Sequence, residues 1–84
     1  HLVRELAIEM SPLVRVNAVA PGPVLWPDDP SFDELSRQRI ISHTPLKREG
    51  EPDDIARAVH FLLAEATYVT GETINVDGGR HVAI

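Results

Sequence analysis

The residues able to do chemistry in this chain are few, and most have an ordinary structural use beside the chemical one. Pro21-Gly22 stands directly after a valine-rich run. A glycine at the end of a strand carries no Cβ, so its main-chain N–H and C=O groups can lie close to a flat ligand. Asp53 and Asp54 are adjacent carboxylates, the usual hardware of acid/base exchange. They follow Pro52 at the head of an apolar-periodic segment, where negative charge is favoured by the helix dipole, so a capping role is expected of them. His1, His43, His60 and His81 show no paired helical spacing of the kind that holds zinc, and no metal site is expected. Arg48, in a Lys-Arg-Glu-Gly stretch, is expected to pair with nearby acids. Asp77-Gly78-Gly79 is expected to shape a turn. There is no cysteine, which removes disulfides and thiol catalysis from this segment.

The elements that must position these residues follow from periodicity and punctuation. Leu2, Leu6 and Met10 recur at helical spacing with Val3 and Ala7 beside them, predicting a helix that Ser11-Pro12 stops. That helix opens without a capping residue, so preceding chain is expected ahead of it. Leu13 to Ala20, with Val14 and Val16 alternating against Arg15 and Asn17, predicts a strand ended by Pro21, Gly22 and Pro23. Val24 to Pro30 reads as an irregular loop. A helix is expected over Ser31 to Ser42, with Phe32, Leu35, Ile40 and Ile41 turned inward. Pro52 opens a second, stronger helix whose stripe of Ile55, Ala58, Val59, Leu62 and Leu63 runs to about Ala64. Thr73 to Val76 predicts a short buried strand.

A strand, a crossover containing a helix and a second strand form the unit of a parallel sheet, which places the chain in the α/β class. Two parallel strands are normally buried on both faces, so the segment is expected to supply one edge of a larger sheet. The 84 residues are 43% hydrophobic and 25% charged, which suits a packed globular protein. A net charge of −5 removes the electrostatic basis for binding nucleic acid or an anionic membrane surface. No apolar run approaches the roughly 20 residues a membrane span needs, so a soluble, cytoplasmic setting is expected.

Four patterns, RELAIEM, VRVNAVAPG, TPLKREGEPDDIA and TGETINVDGG, run in this order from Arg4 to Gly79. In order and spacing they resemble the short-chain dehydrogenase/reductases downstream of their catalytic tyrosine and lysine. The resemblance implies that residues 1–84 are the C-terminal segment of one Rossmann-like, doubly wound parallel-sheet domain, with the cofactor-binding N-terminal part and the Tyr-x-x-x-Lys pair lying upstream. Tyr68 has Glu72 rather than lysine at i+4 and cannot be the family's acid. No catalytic residue is therefore expected in the segment, and alone it is expected to be inactive.

By the same resemblance Pro21 and Gly22 touch the nicotinamide ring, Val24 offers main-chain groups to the carboxamide, and Leu25 lies beside it. The common family threonine beyond this glycine is absent, and the stretch PGPVLWP is instead similar to the pteridine-reductase branch. Leu25, Trp26 and Pro27 would then wall the substrate pocket, within a substrate loop of about 24–44. The activity implied is reduction of a pteridine or dihydrofolate-like ring, with NADP (as NADPH) expected over NAD. Two alternatives stand beside it: a carbonyl reductase of another class, such as 3-oxoacyl thioesters, and a non-catalytic relative serving in binding or assembly. A small-molecule substrate and a homotetramer are the partners implied, the region after Asp77 lying at a subunit interface in the family.

Overall fold

The computed structural model describes residues 1–22 and 33–82. Helix α1 spans Leu2–Met10, strand β1 Ala18–Pro21, helix α2 Glu34–Ser42, helix α3 Pro52–His60 and strand β2 Thr73–Val76. β1 and β2 pair in parallel with Ala18 opposite Thr73 and Pro21 opposite Val76. The crossover between them carries α2 and α3, and α3 packs against both strands. The α/β class and parallel pairing expected from the sequence are therefore present.

β1 is shorter than the strand predicted over Leu13–Ala20. Leu13 belongs to the turn that ends α1, and Val14 still donates to Met10 O at 3.0 Å. Residues 16 and 17 run beside the turn before β2 and bond to it largely through side chains. Val16 N–H donates to Thr70 Oγ1, Asn17 Nδ2 donates to Val69 O, and Glu72 N–H donates to Asn17 Oδ1. A regular ladder begins only where Ala18 N–H reaches Glu72 O. The alternation that suggested a longer strand thus reports extended chain whose polar residues anchor a turn.

α3 starts as its sequence dictates. Pro52 occupies the first turn, and Glu51 and Asp54 form a reciprocal capping box, Glu51 N–H donating to Asp54 Oδ2 at 2.8 Å. Beyond His60 the helix widens into a π turn over Phe61–Glu65, which carries the predicted apolar stripe past Ala64. Leu62 and Ala66 are buried from this end, and Ala7 is buried from α1. Elsewhere the predicted apolar faces are only partly covered by the described residues. Leu2, Val59 and Leu63 are exposed, and so is Leu35, which the helix expected over 31–42 had turned inward. That helix begins at Glu34, capped by Asp33, whose carboxylate accepts from Ser36 N–H at 2.7 Å. Its polar composition leaves Leu35 no apolar stripe to join; Phe32 lies outside the described residues.

Candidate functional site

Parallel pairing sends both strands the same way, so Pro21-Gly22 and Val76-Asp77 end side by side. Open α/β sheets bind ligands beyond this carboxyl edge. Gly22 N–H donates to Val76 O at 2.9 Å, continuing the ladder by one residue. A Cβ on Gly22 would stand 2.5 Å from Asp77 Cβ and 2.7 Å from Asp77 Cα. The close approach of Asp77, just beyond β2, therefore requires a glycine here. Pro21 is exposed at the same edge.

Asp77 anchors the turn that follows. Gly79 N–H and His81 N–H donate to its two oxygens at 2.9 and 3.1 Å, and His81 Nδ1 lies 3.0 and 2.9 Å from them. Burial pushes the Asp77 carboxyl up, but the His81 ring and these amides outweigh it and hold the group below its ordinary value. Gly78 and Gly79 adopt left-handed geometry, with φ of 65° and 92°. Their missing side chains admit the segment after α2: a Cβ on Gly78 would meet Thr44 Cγ2 at 2.7 Å, and one on Gly79 would meet Pro45 at 3.1 Å. Leu46 N–H donates to Gly78 O at 3.0 Å. The expected turn thus also locks the end of α2 to the carboxyl end of β2.

A cavity of about 390 Å³ opens beside this junction, lined among others by Ile40, Thr44, Arg48, Asp54, Val76 and His81. Arg48 pairs with Asp54 through two hydrogen bonds of 2.9 and 3.2 Å, as its surroundings suggested. The Arg48 guanidinium and the Glu51 amide hold the Asp54 carboxyl down at about 2, and Asp54 raises Arg48 in return. This is fixed charge supporting a helix start. Asp53 pairs with Arg57 at 2.7 Å on the exposed side of α3, so the two aspartates point to separate partners and do not act together.

Three residues important to the arrangement were not singled out by their spacing. Arg15 fans its guanidinium into the end of the π turn, with Nη1 donating to Leu62 O and Ala66 O at 2.8 Å and to Val69 O at 3.4 Å, and Nη2 to Leu63 O at 3.2 Å. Carbonyls at a helix end have no partner within the helix, and Arg15 supplies one. Asn17 staples β1 to the turn before β2. Thr44 is the buried polar residue among the described ones, its Oγ1 donating to Ile40 O at 2.7 Å. A lone arginine inside a valine run was the available signal for the first; the helix end it serves is 47 residues away.

Among the described residues no group of three or more His, Asp or Glu could hold a metal ion, and no helix is long and apolar enough to cross a membrane. Tyr68 is fully exposed in the turn between the π segment and β2. Of the residues assigned to a cofactor or substrate, Pro21 and Gly22 come together with Asp77 at the strand ends. Val24, Leu25, Trp26 and Pro27 lie outside the described residues.

The family model described as Enoyl-(Acyl carrier protein) reductase matches residues 1–81. The chain belongs to the short-chain dehydrogenase/reductase family. Within it, the chain is 47% identical over 83 residues to glucose 1-dehydrogenase of Gluconobacter oxydans, covering 94% of this chain and 31% of that protein. It is 43% identical over 67 residues to the 3-oxoacyl-[acyl-carrier-protein] reductase FabG of Thermotoga maritima, covering 79% of this chain and 27% of that one. Among solved structures it is similar to a short-chain dehydrogenase of Leptospira borgpetersenii with bound NAD+, at TM-score 0.84 and 34% identity, covering 95% of this chain and 31% of that one. It is also similar to FolM alternative dihydrofolate reductase 1 of Brucella canis complexed with NADP, at TM-score 0.82 and 36% identity, covering 98% and 32%. The chain spans about a third of the length of these short-chain dehydrogenase/reductase relatives, and its fold is that part of their Rossmann-like domain.

Proposed function

We propose that this chain is the C-terminal segment of a nicotinamide-dependent reductase acting on a pteridine or dihydrofolate-like ring. The observation that carries the nicotinamide half is the meeting of Pro21-Gly22 with Val76-Asp77 at the carboxyl ends of two parallel strands. In this reading the bound cofactor supplies hydride, and the chain supplies part of the surface on which its ring lies. Exposed Pro21 offers an apolar face. Gly22 sets the depth of that surface through its contact with Asp77, its own N–H being engaged by Val76. Val24 and Leu25 complete the cofactor contacts, and Leu25, Trp26 and Pro27 wall the substrate. The proton donor is a tyrosine paired with a lysine in preceding chain, so the segment alone is inactive.

The pteridine half is supported by the stretch PGPVLWP and by the likeness to an alternative dihydrofolate reductase that binds NADP. NADP is the cofactor we assign, and a cytoplasmic homotetramer the assembly. A second reading, oxidation of a sugar or reduction of a 3-oxoacyl thioester, is favoured by the 47% identity to a glucose dehydrogenase and 43% to a ketoacyl reductase. The complete protein decides between them when oxidation of reduced cofactor is followed with dihydropterins and acetoacetyl thioester, and reduction of oxidised cofactor is followed with aldose, in parallel. The pteridine reading expects turnover with a dihydropterin and little with the others. Silence on every dihydropterin alongside turnover of another class overturns it.

A further inference from the structure

Asp77 is the one aspartate in the sequence followed by glycine. In such a pair the carboxyl carbon of the aspartate is one ring closure from the next main-chain nitrogen, and glycine, with no Cβ, leaves that approach open. Gly78 N–H has no acceptor among the described residues, so the nitrogen is uncommitted. The carboxylate is not. Gly79 N–H and His81 N–H donate to its Oδ1 and Oδ2 at 2.9 and 3.1 Å, and His81 Nδ1 lies 3.0 and 2.9 Å from the same two oxygens. The Asp77 side chain is 11% exposed and the His81 ring 46%. Arg48, Glu49, Asp54 and Arg57 line the same cavity as this pair, but Arg48 is engaged with Asp54, Arg57 with Asp53 and Glu49 with Arg37. The imidazole is therefore the side chain that holds the Asp77 carboxylate.

We propose that Asp77-Gly78 is a site of spontaneous aspartate isomerisation, and that the His81 ring, with the two amides, holds it in check. The chemistry is the chain's own and needs neither cofactor nor substrate. Gly78 N attacks Cγ of the protonated Asp77 carboxyl; a C–N bond forms, the Cγ–OH bond breaks, and the hydroxyl leaves with the amide proton as water. The product is a succinimide. Water then adds back at one of its two carbonyls: breaking the N–Cγ bond restores aspartate, whereas breaking the bond to the main-chain carbonyl leaves the chain running through Cβ and Cγ. A carboxylate that accepts from three N–H groups is favoured in its ionised form and is not free to turn toward the nitrogen, which slows the first step. The isoaspartyl chain carries one more backbone atom at residue 77. Gly22 leaves no slack for it, since a Cβ there would already stand 2.7 Å from Asp77 Cα, and Gly78 is seated against Thr44. Conversion therefore parts the carboxyl ends of β1 and β2.

The test warms the complete protein, its H81A and H81N variants and an unfolded reference peptide of residues 73–82 for equal times near neutral pH. The isoaspartate fraction at residue 77 is read by chromatography and electron-transfer fragmentation of the digested chain, and hydrogen exchange of the β2 amides is followed on the same samples. The peptide should convert readily and the folded parent about tenfold more slowly or less. H81A, which keeps both backbone amides, should convert about 5-fold faster than the parent, the rate equivalent of one lost hydrogen bond, with β2 exchange unchanged. H81N, whose side-chain amide can still donate, should fall between. A parent that converts at the peptide's rate overturns the restraint, and H81A converting at the parent's rate overturns the part given to His81. Faster conversion matched by equally faster β2 exchange reports opening of the strand and overturns that part too. No isoaspartate in the peptide overturns the site itself.

Discussion

Gly22→Ala puts a methyl group where the structure has none to spare. The new Cβ would lie 2.5 Å from Asp77 Cβ and 2.7 Å from Asp77 Cα. Carbon atoms settle at about 3.5 Å or more, so the deficit is about 1 Å. The nearer atoms belong to the backbone and Cβ of a residue whose carboxylate is held by two amides and a ring, so no flexible side chain can swing aside. Relief requires the strand ends to part, which weakens the Gly22 N–H to Val76 O bond. Overpacking of this kind costs about 1–3 kcal/mol, and a lost backbone hydrogen bond adds about 1 kcal/mol. Urea unfolding of the complete protein should therefore show G22A less stable by about 2–4 kcal/mol. Cofactor KM should rise as the surface carrying Pro21 is displaced. A variant within about 0.5 kcal/mol of the parent would refute the contact between Gly22 and Asp77 as the reason for this glycine.

Arg15→Met, which keeps an unbranched apolar stem and loses the donors, should cost about 2 kcal/mol by leaving the carbonyls of the π turn without their partner, and R15K should recover only part, both read from urea midpoints. Gly78→Ala should destabilise by about 2 kcal/mol through left-handed strain and a 2.7 Å encounter with Thr44 Cγ2, and T44S in the same chain should restore part of it by removing that methyl, a non-additivity measurable in a double-mutant cycle. Asp54 is depressed from 3.8 to about 2 in the folded chain, so it binds its proton more readily when unfolded. Its stabilisation is therefore present above about pH 5 and is lost as pH falls toward 2. Asp54→Asn should flatten the decline of Tm over that acid window, and a parallel decline in parent and variant would contradict the assignment.

The elements with strong local signals were readable from the amino acids. Pro52, Asp53 and Asp54 mark a helix start because their chemistry acts within one turn, and Thr73–Val76 forms the expected strand between Gly71 and Gly78, though Thr73 and Asn75 are exposed where a buried strand was expected. β1 was overestimated because alternation in Leu13–Ala20 looks the same whether the partner is a neighbouring strand or a turn held by Asn17 and Arg15. Leu35 was misplaced because a ragged apolar pattern does not reveal that nothing covers it. The Pro21-Gly22 turn was recognised, but its reason was incomplete: the demand for glycine comes from Asp77, 55 residues later, and such a long-range contact leaves no mark in local spacing. The same holds for Gly78 and Thr44, and for the pairing of Arg37 with Glu49.

The central claim is that the carboxyl end of β1 carries the nicotinamide ring. It is tested most directly by a crystal structure of the complete protein grown with NADPH. The account predicts the ring against Pro21-Gly22, within van der Waals contact of about 4 Å, and the loop of Val24 and Leu25 on its carboxamide. A ring bound elsewhere, or saturating cofactor that leaves this edge bare, would contradict it.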